Sequence, residues 1–263
     1  MHTLRSLVVA ALCAACSSSP RPASNVAPTS ASASIEVRPD IGAALGASDR
    51  TEADRALDAQ RRPGEVLTFF GVARGQRVAD LFAGGGYTSE ALARVVGPDG
   101  QVFSQNNRFA LERFANTPWT ARLATPAMQR VVRVERELDD PLPPEATNLD
   151  AVLSVLVYHD SVWLQTDRAA MNRAIFRALK PGGVFGVIDH SAAEGHGTAD
   201  AQTLHRIEER VVIEEVTAAG FRLDARSDIL RNPADPRDWN ASPREAGARR
   251  GQSDRFVLRF VKP

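Results

Sequence analysis

The residues best equipped for chemistry in this 263-residue chain are histidines flanked by aspartates. Four of its five histidines, His159, His190, His196 and His205, lie in the second half, and two of them form the dipeptides His159-Asp160 and Asp189-His190. Imidazole changes charge near neutral pH, so it can take a proton from a hydroxyl or amine, and a neighbouring carboxylate sets which ring nitrogen carries the hydrogen. The same residue types can also hold a divalent ion that orients an acceptor oxygen, although this spacing is not a diagnostic metal signature. A third reading makes them polar residues that satisfy loop backbone groups. Acid–base chemistry is the expectation carried forward, with His159 as base, Asp160 or Asp189 orienting it and His190 as the alternative. His205 joins the candidates, as does Tyr158, which could stack on a substrate or cover the pocket. Trp163 is assigned to core packing by default.

A second group of residues concerns ligand approach. Ala83-Gly84-Gly85-Gly86 follows the apolar run Arg77–Phe82 and precedes Tyr87–Val96, which has helical spacing at Leu92, Val95 and Val96. Glycines in such a turn reach positive φ and let a ligand approach the backbone, while a helix N-terminus presents free N–H groups. A glycine turn alone is weak evidence. Its place after a strand and before a helix, with another strand about 15 residues on, strengthens it.

These residues must be positioned by alternating elements. Strands are predicted over Arg77–Phe82, Gln101–Ser104, Arg130–Val134, Leu149–Val157 and Val184–Ile188. Helices are predicted from an N-cap at Ser48 to Arg61, from Pro63, near Arg108–Phe114, over Asp167–Leu179 and over Thr203–Ala219. Phe221–Leu230 and Asp254–Val261 have no crossover helix between them and are expected to pair antiparallel. Short strands alternating with helices predict a doubly wound α/β sheet whose ligands sit at the carboxyl ends of the strands. By that topology His159 and His190, just past the fourth and fifth strands, lie on the ligand edge, and His205 falls on the following helix.

With Asp80, Gly84 and Gly86 at the end of the first strand, the sequence resembles the class I S-adenosylmethionine-dependent methyltransferases, although Phe82 stands where their first glycine would be. Leu179-Lys180-Pro181-Gly182-Gly183 and Asp150 extend the resemblance, which runs from about Glu65 to Ile188. Tyr158-His159-Asp160, Asp189-His190, His205-Arg206-Ile207 and Ser253-Asp254-Arg255-Phe256 resemble a narrower bacterial group of exported methyltransferases. The resemblance implies a Rossmann-like seven-stranded sheet, mostly parallel with a C-terminal antiparallel strand, and S-adenosylmethionine as cofactor. It places Asp80, Ala83, Gly84, Gly85, Gly86, Asn106 and Asp139 at the cofactor. Asn106 takes the place of the acidic residue that grips the ribose; an amide can bond a diol without the charge.

Composition narrows the partners. Lys+Arg 32 balance Asp+Glu 32, so the basic footprint of a nucleic-acid binder is missing, and a small-molecule acceptor is expected. Both cysteines, Cys13 and Cys16, lie at the N-terminus, which excludes a disulfide framework or thiolate zinc site elsewhere. Leu7–Ala15 is an apolar run too short to span a bilayer and reads as a signal peptide over residues 1–16. Leu12–Cys16 resembles a bacterial lipobox, which implies lipid attachment at Cys16 as the only membrane contact and an exported, periplasmic protein. Residues 17–47 are expected to be a flexible tether and 48–263 a methyltransferase-like domain. Because S-adenosylmethionine is made in the cytoplasm, two alternatives stay open: an exported domain of this type that binds another ligand without methyl transfer, and a non-enzymatic envelope lipoprotein.

Overall fold

The structure is a computed structural model that describes residues 29–31 and 35–263. The expected signal peptide, the lipobox at Cys16 and residues 17–28 and 32–34 of the expected tether lie outside the described residues. Seven strands form the body of one sheet: β1 (Arg77–Leu81), β2 (Gln101–Asn106), β3 (Val131–Glu135), β4 (Leu149–Val155), β5 (Leu179–His190), β6 (Arg222–Ser227) and β7 (Arg255–Val261). Their order is β3-β2-β1-β4-β5-β7-β6, and a short strand, Thr29–Ala31, lies parallel to β6 at the edge. The strands from β3 to β5 are parallel, whereas β7 runs antiparallel to both β5 and β6. This is the doubly wound sheet with a C-terminal antiparallel strand that the sequence predicts. The winding reverses between β1 and β4, and that switch point opens a crevice at their carboxyl ends.

Continuous apolar runs mark strands covered on both faces. Val78, Ala79, Val102, Phe103, Val152 and Leu153 are at most 1% exposed. One face packs against α1 (Pro39–Leu45), α3 (Pro63–Phe69) and α4 (Tyr87–Val96), with Ile41, Leu67, Phe70, Leu92 and Val96 in its core. The other packs against α8 (Arg168–Ala178) and α9 (Glu209–Ala218), with Ile175, Phe185, Val212 and Val216 buried. Between α1 and α3, α2 (Glu52–Arg61) is polar and is held by ion pairs, including Asp54 with Arg122 at 2.8 Å. After β2 the chain forms α5 (Arg108–Ala110), a π turn over Leu111–Ala115, and α6 (Asn116–Leu123). After β4 it forms the short α7 (Asp160–Trp163).

Three local expectations change. The expected tether overlaps α1, which buries Ile41 and Leu45 against the sheet-facing helices. The cap of α2 is Thr51, whose side chain accepts from Asp54 N at 3.1 Å, so Ser48 lies outside the helix. Most consequential is Thr203–Glu208, expected as the first turns of a helix. Here α9 begins only at Glu209, and Ile207 bridges to Ser191. His205 sits at φ +52°, which no right-handed helix accommodates, and Arg206 turns inward to Asp235 instead. Tertiary bonding overrides the helical propensity of that segment.

Candidate active site

The glycine turn leaves β1 with three residues in the left-handed region, Phe82, Gly84 and Gly86, at φ +52°, +56° and +83°. Two amides at the end of β2 brace it. Gly84 N donates to Asn106 Oδ1 at 2.8 Å and Asn106 Nδ2 donates back to Gly84 O at 3.1 Å, while Phe82 N donates to Gln105 Oε1 at 2.8 Å. Asn106, expected on a ribose, therefore uses its amide to hold the turn. Gly86 is needed for space as well as for its φ: a Cβ there would lie 3.0 Å from Arg122 Cδ and 3.3 Å from Trp119 Cδ1. Gly86 is also the N-cap of α4 and offers no side-chain cap to its first turn, where the Ser89 N–H faces the Asp80 carboxyl. Ala83 N is tied to Gln105 O at 2.8 Å, and Asp139 stands on the exposed loop after β3.

Asp80 faces inward beneath this turn. It is 1% exposed and accepts from Ser89 Oγ at 2.6 Å, Ser89 meets Ser104 Oγ at 2.7 Å, and Trp119 Nε1 donates to Ser104 Oγ at 2.9 Å. Burial pushes the Asp80 carboxyl up to about 7, against the bond from Ser89 and the charge of Arg61. A carboxyl whose folded pKa lies above its unfolded value binds more protons when folded, so it lowers stability as pH rises between the two. The expected result is that Asp80→Asn is more stable relative to wild type at pH 8 than at pH 5, by on the order of a few kcal/mol. Urea unfolding at both pH values measures this, and an equal difference at both would contradict it.

Across the crevice, the histidine cluster is built from three segments. His159 is 3% exposed; its Nδ1 meets Asp189 Oδ1 at 2.7 Å and its backbone N donates to Asp189 Oδ2 at 2.8 Å. Its Nε2 lies 3.1 Å from His205 Nδ1 and 3.3 Å from Asp160 Oδ1. Asp160 Oδ1 is 3.6 Å from His205 Nδ1 and accepts from Trp163 Nε1 at 2.9 Å. Burial opposes a charged imidazolium, but the carboxylates of Asp189 and Asp160 overcome it and push His159 up to about 10. Burial would raise Asp160, yet the His159 and His205 rings hold it well below the carboxylate range. His159, expected as the base, has both nitrogens engaged inside the cluster. The member open to the crevice is His205, with a quarter of its side chain exposed.

The other candidates fall in different places. His190 is buried, its Nδ1 meets Ser253 Oγ at 2.7 Å, and its ring centre lies 5.9 Å from that of His159. Burial and the neighbouring His159 and Arg255 charges keep it neutral, well below the ordinary histidine value. Tyr158 points away: its hydroxyl donates to Glu215 Oε2 at 2.9 Å and accepts from Asn172 Nδ2 at 2.8 Å, tying α8 to α9. His196 pairs with Asp200 at 2.8 Å on an exposed loop, apart from the cluster. Trp163 is not a core residue. It is half-buried, its ring packs 5.1 Å from Phe109 and 6.4 Å from His205, and its indole N–H holds Asp160.

An aromatic row joins the two halves of the site. Phe82 and Phe114 centres are 6.1 Å apart, Phe114 and Phe109 6.5 Å, and Phe109 leads to Trp163 and His205. Phe114 is 52% exposed and lies 3.7 Å from the position a Gly84 Cβ would take, so a flat ring at the glycine turn meets an open aromatic face. The donors His159 Nε2, His205 Nδ1 and Asp160 Oδ1 also form a triangle close to the edge length of about 3.3 Å expected for a tetrahedral site with bonds of about 2.0–2.1 Å. Asp189 on the far nitrogen of His159 is the outer carboxylate that such ligands carry.

No protein-family model matches the sequence, and no curated protein matches it either. Solved structures share the fold. An S-adenosylmethionine-dependent methyltransferase from Aquifex aeolicus superposes with a TM-score of 0.58 at 16% identity, over 81% of this chain and 96% of its own. The 4+2 cyclase SpnF gives 0.53 at 18% identity, over 86% and 92%. An arsenic(III) S-adenosylmethionine methyltransferase from Chlamydomonas reinhardtii gives 0.52 at 17% identity, over 85% and 73%. This chain therefore has the Rossmann-like fold of these methyltransferases.

Proposed function

We propose that this chain binds S-adenosylmethionine at the glycine turn and transfers its methyl group to a small-molecule acceptor held at the histidine cluster. The observation that carries this is the aromatic row, which connects the braced turn to His205 along one edge of the sheet. The residues present fit the cofactor: a helix start without an N-cap side chain, a glycine turn without side chains and an exposed aromatic face. Asn106 is the exception, since the turn engages its amide. Bound there, the cofactor supplies an activated methyl that needs positioning and little covalent help.

The chain's own contribution is to place the acceptor and remove its proton. The His159 ring donates from Nδ1 to Asp189, and its Nε2 shares a single proton with His205 Nδ1 across 3.1 Å. In the form that takes a proton, the shared hydrogen sits on His205 Nδ1 and points to His159 Nε2, which leaves His205 Nε2 free to accept. Asp160 lies against both rings and balances the positive charge that arrives. His159 is thus a positioning residue and His205 takes its place as base. The test is thermal melting of the full chain with S-adenosylhomocysteine: saturating ligand is expected to raise Tm in proportion to the logarithm of its concentration. An unchanged Tm at millimolar ligand would remove the cofactor from the reading.

A second reading rests on the donor triangle. His159, His205 and Asp160 would hold a divalent ion that orients an acceptor oxygen, with Asp189 fixing the His159 ring. Metal analysis of the purified chain separates the two: one tightly held ion per chain, lost in Asp160→Ala, is the expected result for the second reading, and metal-free protein with full binding of acceptor ends it. We further propose export with a lipid anchor at Cys16, on the strength of the N-terminal sequence alone; loss of membrane association in Cys16→Ala is the expected outcome.

A further inference from the structure

On the face of β5 opposite Asp189, a small pocket of about 30 Å³ lies between α2, the start of α4 and the ends of β4 and β5. Its floor is apolar, formed by Val66, Leu153, Leu156, Ile188 and Leu230, and two arginines, Arg61 and Arg255, supply its charge. Among the described residues, Arg255 is 6% exposed, its Nε has no hydrogen-bond partner, and its single side-chain bond goes to Gly251 O at 3.3 Å. Arg61 makes no ion pair among the described residues and stacks over the Tyr87 ring at 4.7 Å. The carboxylates whose charge reaches the two guanidiniums are bonded elsewhere: Asp254 with Arg231 and Arg237, Asp54 with Arg122, and Asp80 with Ser89. Burial pulls both guanidinium groups below their ordinary value, Arg255 to about 10, and the charge of Arg61 pulls Arg255 down further.

A buried cation with an orphan donor is costly unless an anion completes it. We propose that Arg61 and Arg255 form a carboxylate-binding subsite that selects a methyl acceptor with an acidic group and an apolar body. Its description as an acceptor subsite rests on the methyl-transfer reading. Position supports it, because Tyr87 and Thr88, the residues directly after the glycine turn, line the pocket and place the anion next to that turn. The cofactor also carries a carboxylate, but it brings an ammonium and a sulfonium with it. Among the described residues no acidic side chain lines this pocket to receive those cations, whereas a simple acid needs none.

The experiment is calorimetric titration of the full chain with benzoate, hexanoate and the neutral benzamide, each with and without S-adenosylhomocysteine. Benzoate and hexanoate are expected to bind in both conditions, and benzamide roughly tenfold more weakly or worse. Arg61→Met and Arg255→Gln should each weaken benzoate by roughly tenfold while leaving affinity for S-adenosylhomocysteine within about twofold. Arg255→Lys keeps the charge in place and guards against a folding failure; it should retain part of the benzoate binding. Wild-type protein that binds S-adenosylhomocysteine but no carboxylate overturns the subsite. Variants that lose S-adenosylhomocysteine as fast as benzoate assign the pair to the cofactor's own carboxylate and overturn it too. Carboxylate binding without any S-adenosylhomocysteine binding leaves the anion site standing and overturns its assignment to a methyl acceptor, together with the methyl-transfer reading.

Discussion

Asp189→Ala should lose about 3–5 kcal/mol of stability and all turnover, because one buried carboxylate holds the whole cluster. Asp189 is fully buried and receives three N–H groups: the His159 ring at 2.7 Å, the His159 backbone at 2.8 Å and the His190 backbone at 2.7 Å. Alanine leaves those donors without an acceptor and places a cationic ring in a cavity. Removing one partner of a buried pair costs more than the pair contributes, since the remaining charge stays desolvated. The Asp189→Asn variant is expected to fall between wild type and alanine. It preserves the volume, but its NH₂ must face one of the three donors. Urea unfolding of the three proteins at neutral pH gives the order, and an alanine variant within about 1 kcal/mol of wild type would remove Asp189 as the anchor.

Why Asp189, His159 and Asp160 can be expected together from sequence, while the contact that His205 makes with them cannot, follows from the distances along the chain. Strand alternation and the switch-point rule bring the ends of β4 and β5 side by side, because both rest on local apolar runs and short connections. The glycine turn is legible for the same reason: strand, glycines and helix are contiguous. His205 meets His159 across 46 residues, and nothing local marks that contact. Tyr158 shows the opposite failure. It adjoins His159 in sequence, yet its side chain runs to α8 and α9, so adjacency to a site residue does not imply membership of the site. Asn106 sits at the expected edge of the sheet with a different task, since one amide can bond a ribose or a neighbouring backbone equally well. The unmatched Arg61 and Arg255 cannot be seen at all from composition, where acids and bases balance. Only the folded pairing leaves these two arginines without an acid among the described residues.

Arg206→Met should cost about 3–5 kcal/mol and lower turnover by more than the lost stability explains. Arg206 is fully buried, forming an ion pair with Asp235 at 2.8 Å and donating to Ser191 O at 3.0 Å and Trp239 O at 3.1 Å. It thereby pins the segment before α9 to the long connector before β7. His205 is the preceding residue and sits in the left-handed region, a conformation that persists only where surrounding contacts impose it. Releasing Arg206 should let His205 relax out of contact with His159, whose nitrogen lies 3.1 Å away. Removing Asp235 as well should not restore stability, because that carboxylate also accepts from Asp254 N, Arg237 N and Trp239 Nε1. The glycine turn shares none of these bonds, so the thermal shift produced by S-adenosylhomocysteine should be the same size in Arg206→Met as in wild type. At a temperature where the variant is fully folded, turnover should still be down by about tenfold or more, on the order of what misplacing a proton acceptor costs. Turnover that simply tracks the folded fraction would mean that Arg206 supports the fold alone and that the position of His205 does not depend on it.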